Sequence, residues 1–172
     1  MKTVSKCSLF TLLLATLAAS STLHAQQPAK NDPVAIMQAY WDALNSADLP
    51  AVMALISDDL APYTYATCTP QMSAKQCFGS FVETTIIKRH GSLVVPEPPK
   101  VEGDVVIAIV EVRHDATRAA GIPRMLGVST TTVKNNKITS FKFEQLPNDP
   151  HNKRLAAFNA ANAAAAPAAP AR

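Results

Sequence analysis

Glycine is scarce in this chain, with five in 172 residues. Phosphate-cradling loops and dinucleotide fingerprints need several glycines at fixed spacing. Neither pattern is present, and there is no Gly-x-Ser-x-Gly nucleophile elbow. Charge is also sparse, at 17% of residues. The basic residues are scattered, and only the pairs Lys88 with Arg89 and Lys153 with Arg154 are adjacent. Nucleic acid demands a basic face that contacts phosphates, so no nucleic-acid partner is expected. The histidines His90, His114 and His151 lack the local spacing of a zinc motif, so no metal and no cofactor is expected. Three cysteines exclude a disulfide-dense mini-protein. The single long apolar run, residues 7–20, excludes a multi-span membrane protein.

That run has a meaning of its own. Lys2 and Lys6 precede it, and the small residue Ala25 closes the polar stretch after it. A basic start, an apolar core and a small residue make a secretory signal, with cleavage expected after Ala25. At about 14 residues the run is short of the ~20 that span a bilayer. The protein is therefore expected in the periplasm or the medium, off the membrane once the signal is removed. Cleavage removes Lys2 and Lys6 and no acid, so part of the formal charge of +3 belongs to the signal. The mature chain keeps Cys68 and Cys77, nine apart. In an exported protein such a pair is expected to form a disulfide.

Beyond a short leader, residues 26–32, the pattern turns helical. Asp32 can cap a helix and Pro33 suits its first position. Ile36, Tyr40 and Leu44 then recur at spacing four, with Met37 and Trp41 beside them. Asn45 to Ala47 form a break, and Asp48 caps a second helix with Val52, Leu55 and Ile56 as its stripe. Ala61 to Thr67 reads as a short strand. Ser80-Phe81-Val82-Glu83 reads as a capping box opening a third helix, which Gly91 ends. Strands are expected over Ser92–Val95, Asp104–Arg113, Met125–Val133 and Ile138–Leu146. Pro96–Lys100 and Asp115–Pro123 read as connections. Lys134-Asn135-Asn136-Lys137 reads as a tight hairpin, because Asn tolerates positive φ. Strict alternation in the last strand puts Ile138, Ser140, Lys142 and Glu144 on one face and Thr139, Phe141, Phe143 and Gln145 on the other. The folded domain is expected over 33–148. Residues 149–172, almost all Ala, Asn and Pro towards the end, are expected to be a disordered tail.

The order α, α, β, α and then consecutive antiparallel strands implies an α+β fold with helices on one face of the sheet. The stretch from Met37 to Asp59 resembles the two-helix opening of the nuclear-transport-factor-2-like superfamily. It has an aromatic helix, a short turn with Asp, and an apolar helix ending in an acidic pair. Gly79-Ser80 and the hairpin from Lys134 to Glu144 resemble that superfamily's third helix and last two strands. The resemblance spans about residues 33–146. It implies a cone of cystatin-like topology, in which N-terminal helices pack in the concavity of a strongly curved antiparallel sheet, with an apolar pocket at its mouth. The superfamily includes ketosteroid isomerases, polyketide cyclases, dehydratases, epoxide hydrolases and non-catalytic binding modules, so fold leaves function open.

Ketosteroid isomerase offers a residue-by-residue comparison. It uses an Asp base and an oxyanion hole of a Tyr and a protonated Asp. The resemblance puts that Tyr at Tyr40, the base near Thr64 and the protonated acid near Ser129. A threonine hydroxyl cannot accept a proton near neutral pH, so the base is missing. Tyr40 reads as core packing with a satisfied hydroxyl ahead of a catalyst, and Trp41 as core or interface. His90 suits a helix end, and His114, beside Arg113 and Asp115, reads as a solvated loop residue ahead of a member of a dyad. Glu111 with Arg113, and Lys142 with Glu144, are either a solvated sheet face or a polar pocket wall. The pocket candidates are Tyr40, Thr64, Ser129 and Glu144. The leading reading is an exported module that binds a small apolar or amphipathic molecule, or a partner protein, without robust catalysis. One alternative is an isomerase, lyase or cyclase acting on a small apolar substrate through Tyr40 and Ser129 or Glu144. Another is an interaction protein that dimerises through its sheet face.

Overall fold

The computed structural model describes residues 32–165. The expected signal peptide and all of the leader but Asp32 lie outside them. The first helix, α1, runs Pro33–Asn45. The Asp32 carboxylate accepts from the amides of Val34 and Ala35, both at 3.1 Å. Proline in the first turn costs nothing, because that N–H has no helical partner. Ile36, Met37, Tyr40, Trp41 and Leu44 are buried as the spacing predicts. Ala47 takes a left-handed conformation, and α2 (Leu49–Leu55) starts at once behind the Asp48 cap.

After α2 the chain follows the edge of the last strand. Ser57 donates to the Ile138 carbonyl and Ala61 to that of Thr139. The strand expected over Ala61–Thr67 is absent. Pro62 has no N–H to continue the edge pairing, and the chain turns away. Helix α3, Ala74–Phe81, also starts earlier than expected. Its capping box is Ser73 with Gln76, and Ser80 lies inside the helix. The helix widens into a π turn, Val82–Ile86, and tightens into a 3-10 turn, Ile87–Arg89. His90 closes it in the left-handed region. The disulfide Cys68–Cys77 ties the preceding loop to the first turn of α3, with Cα atoms 5.0 Å apart.

Five strands form one open antiparallel sheet: β1 (Ser92–Val94), β2 (Lys100–Glu102), β3 (Val105–Arg113), β4 (Met125–Lys134) and β5 (Lys137–Gln145). The order is β1-β3-β4-β5, with β2 on the β1 side of β3. The short β2 falls at the end of the expected Pro96–Lys100 loop, and a one-turn helix, α4 (Asp115–Ala119), interrupts the next connection. Asn135 and Asn136 both have positive φ, the geometry of a two-residue hairpin turn.

Alternation buries Val106, Ala108, Val110 and Val112 of β3 against α1. On β4 it buries Met125, Ser129, Thr131 and Val133. The strict alternation read for β5 fails at one place. Val133 pairs with Ile138 and Thr132 pairs with Ser140, so Thr139 bulges out of register. Ile138 is thereby buried completely while Phe141 packs on the same core. Side chains such as Phe78, fully buried in this core, contribute about 1.5–3 kcal/mol each.

The disordered tail is corrected over most of its length: Pro150–Ala165 is a helix, α5. Its start is pinned by polar contacts that an apolar periodicity cannot reveal. The Asp149 carboxylate accepts from the amides of His151 and Asn152 at 3.0 Å and pairs with Arg124 at 3.1 Å. The Asn152 side chain accepts from the Leu126 amide and donates to the carbonyls of Leu126 and Leu146. Leu155 is buried.

Candidate functional site

A cavity of about 520 Å³ opens between α1, α3 and its extension, the chain at 63–65, β5 and α5. That volume is within the ~300–1,000 Å³ typical of small-molecule sites. Its walls are largely aromatic. Tyr40 comes from α1, Tyr63 and Tyr65 from the irregular segment, and Phe141 and Phe143 from β5. The Tyr63 and Tyr65 rings stack 6.3 Å apart, and Tyr65 lies 4.2 Å from Phe81. The disulfide helps to hold this wall, because the Tyr65 amide contacts Cys68 Sγ at 3.2 Å.

The widened end of α3 supplies the adjoining wall. Phe81, Thr85, Ile86 and Arg89 all line the cavity. Irregular helical turns of this kind recur at functional sites, because they re-aim side chains. Leu155 and Asn159 of α5 reach the same space.

Tyr40 is 2% exposed. Burial, with a smaller contribution from the Tyr63 phenol, raises its pKa far above the usual tyrosine range. Burial and Tyr65 raise Tyr63 in the same direction. Both phenols therefore stay protonated near neutral pH and keep an O–H able to donate. Thr64 joins Tyr40 at the cavity. Ser129 does not line it. Its hydroxyl is buried and lies 3.2 Å from that of Thr131, inside the core. Glu144 does not line it either. It is exposed on the other face of β5 and pairs with Lys142 at 2.9 Å. Lys142 itself extends to the cavity rim.

His114 is the residue that sequence reasoning misplaced. It is 8% exposed and lines the cavity. Its Nδ1 accepts from the Thr117 amide at 3.3 Å, which caps α4. Burial lowers its pKa, and the positive charges of Arg89 and Arg118 lower it further. The ring is therefore neutral near neutral pH, with its proton on Nε2. The signal was available: residue 114 continues the buried parity of 106, 108, 110 and 112. Among the described residues, no cluster of three or more His, Cys, Asp or Glu could hold a metal ion. Among them, too, no helix is long and apolar enough to cross a membrane.

No family model matches the sequence, and no curated protein matches it. Solved structures do match. A putative ketosteroid isomerase from Kribbella flavida aligns with a TM-score of 0.54 and 16% identity, covering 70% of this chain and 82% of its own. A Mycobacterium tuberculosis LEH-like epoxide hydrolase aligns at 0.53 and 16%, covering 81% and 100%. A computationally designed 17-OHP binder aligns at 0.51 and 19%, covering 67% and 92%. At these identities the likeness concerns the fold. The chain has the nuclear-transport-factor-2-like fold, an α+β cone with an open five-stranded antiparallel sheet.

Proposed function

We propose that this protein is an exported module that holds a small apolar or amphipathic molecule in its aromatic cavity, without robust acid–base catalysis. The cavity carries this reading: six aromatic side chains, Phe81 among them, wall a space of ligand size. Among the described residues, no Asp or Glu lines it. The designed binder on the same fold supports small-molecule binding as a use of such a cone. The disulfide supports export, because such bonds persist in oxidising compartments. Native mass spectrometry of the mature protein from its own periplasm or medium tests the proposal. A reproducible extra mass on the folded protein is expected. A bare protein that also fails to bind any of a panel of apolar probes would overturn it.

The enzyme reading, an isomerase, lyase or cyclase, gains one group and loses two. Ser129 and Glu144 lie away from Tyr40, while the neutral imidazole of His114 shares its cavity. Turnover of a small enone or epoxide panel that vanishes in His114→Gln would favour it. A homodimer through the outer sheet face is supported by Ile107, Ile109 and Val128, all part-exposed there. Sedimentation at high concentration tests that arrangement.

A further inference from the structure

Resting on the small-molecule reading, we propose that the cavity selects amphipathic carboxylates, with the ligand's apolar body among the aromatic rings and its carboxylate against Arg89 and His114. The two groups come from different elements that the fold clasps together. Arg118 of α4 donates to the carbonyls of Arg89 and His90, at 3.3 and 3.2 Å. Asp115 of α4 meets His90 Nδ1 at 3.1 Å. These contacts set the start of α4, with its cap His114, beside the 3-10 turn that carries Arg89. Both side chains line the same cavity.

The side chains of this wall that reach the cavity offer hydrogen-bond donors and positive charge. The Thr117 amide already occupies His114 Nδ1, so Nε2–H is the donor left for a ligand. Arg89 makes no ion pair with any carboxylate among the described residues, whereas Lys142 is already paired with Glu144. An arginine fork matches the two oxygens of a carboxylate, and its planar donors hold such a group better than a lysine amine does. Among the described residues no carboxylate lines the cavity, and the neighbouring Asp115 is already paired with Arg118 and His90. The rings of Tyr40, Tyr63 and Phe143 then face the rest of the molecule.

The test is calorimetric titration of the mature, disulfide-bonded chain with naphthaleneacetate and with its uncharged amide, a pair of equal shape. The carboxylate is expected to bind at least about tenfold more tightly. Arg89→Gln should erase that preference, and amide binding that persists, even if weakened, would show that the variant's cavity is intact. Lys88→Gln should keep the preference, because Lys88 pairs with Glu83 and does not line the cavity. Equal binding of the two probes would overturn the carboxylate inference and leave the cavity reading standing. A preference that survives in Arg89→Gln would overturn the assignment to Arg89. Binding of neither probe at millimolar concentration would overturn the cavity reading and this inference together.

Discussion

The ring of Phe143 occupies the space above Gly127. A Cβ built on Gly127 would stand 2.5 Å from Phe143 Cε2 and 2.7 Å from the Glu144 carbonyl oxygen. A bare backbone on β4 thus lets an aromatic wall of the cavity lie across the neighbouring strand, a pairing known to offset the weakness of glycine in sheets. Gly127→Ala is expected to push the ring towards the cavity and to cost about 1–3 kcal/mol by overpacking. Urea unfolding would measure the cost, and loss of affinity for an apolar probe would report the displaced ring.

Asn152 supplies the three hydrogen bonds that fasten α5 to β4 and to the end of β5. Asn152→Ala removes all three and leaves the part-buried Leu126 amide and Leu146 carbonyl without this partner, at about 1–3 kcal/mol each where water cannot replace it, while the Leu126 carbonyl keeps the Leu146 amide. Hydrogen exchange is expected to accelerate over residues 150–158 and to change little in β3. Unaltered protection in α5 would show that Leu155 packing alone holds the helix.

Replacing Cys68 and Cys77 together by Ser should lower stability by about 2–3 kcal/mol, the chain-entropy value for so short a loop. Apolar-probe affinity should fall as well, because the Tyr65 wall loses its tether. A variant with lower thermal stability and unchanged affinity would confine the disulfide to a stability role.

His114 predicts an acid sensitivity. Its folded pKa is depressed, first by burial and then by Arg89 and Arg118, against a smaller opposing pull from Asp115. The unfolded chain therefore binds this proton more readily than the folded one. The contribution to stability is complete above the unfolded value of about 6.5 and is lost as pH falls through the lower folded pKa. Urea midpoints measured from neutral pH downward should decline, and in His114→Gln that part of the decline should flatten, whatever the variant's absolute stability. Parallel profiles for the two proteins would assign the decline to other groups.

Much of the fold is written in local pattern. The spacing of Ile36, Tyr40 and Leu44, the caps at Asp32 and Asp48, and the paired asparagines of the hairpin each act within a few residues. Where sequence reasoning failed, the deciding partner was distant or ambiguous. Two capping signatures seven residues apart, at Ser73 and at Ser80, compete for one helix start, and the disulfide at Cys77 lies in the first turn after Ser73. The tail has no apolar stripe, yet Asn152 and Asp149 find partners in β4 and at Arg124, a long way along the chain. In the candidate site, Tyr40 and Thr64 share the cavity because helix face and loop converge there. Glu144 fell on the solvent side of β5. His114 was hidden by its charged neighbours, although its strand parity pointed inward.

The bulge at Thr139 reaches beyond its own position. Its hydroxyl donates to the Thr132 carbonyl and its carbonyl accepts from Ala61, so the unpaired residue is itself anchored. A bulge adds local bend and twist. It also acts as a phase shifter: the half-strand before it sends Ile138 into the core, and the half-strand after it furnishes the aromatic wall of the cavity. Removing Thr139 would keep Phe141 and Phe143 in phase with Ile138 while straightening the strand. The cone would then forfeit curvature before it forfeited its aromatic chemistry, so the shape and the selectivity of the cavity can change separately.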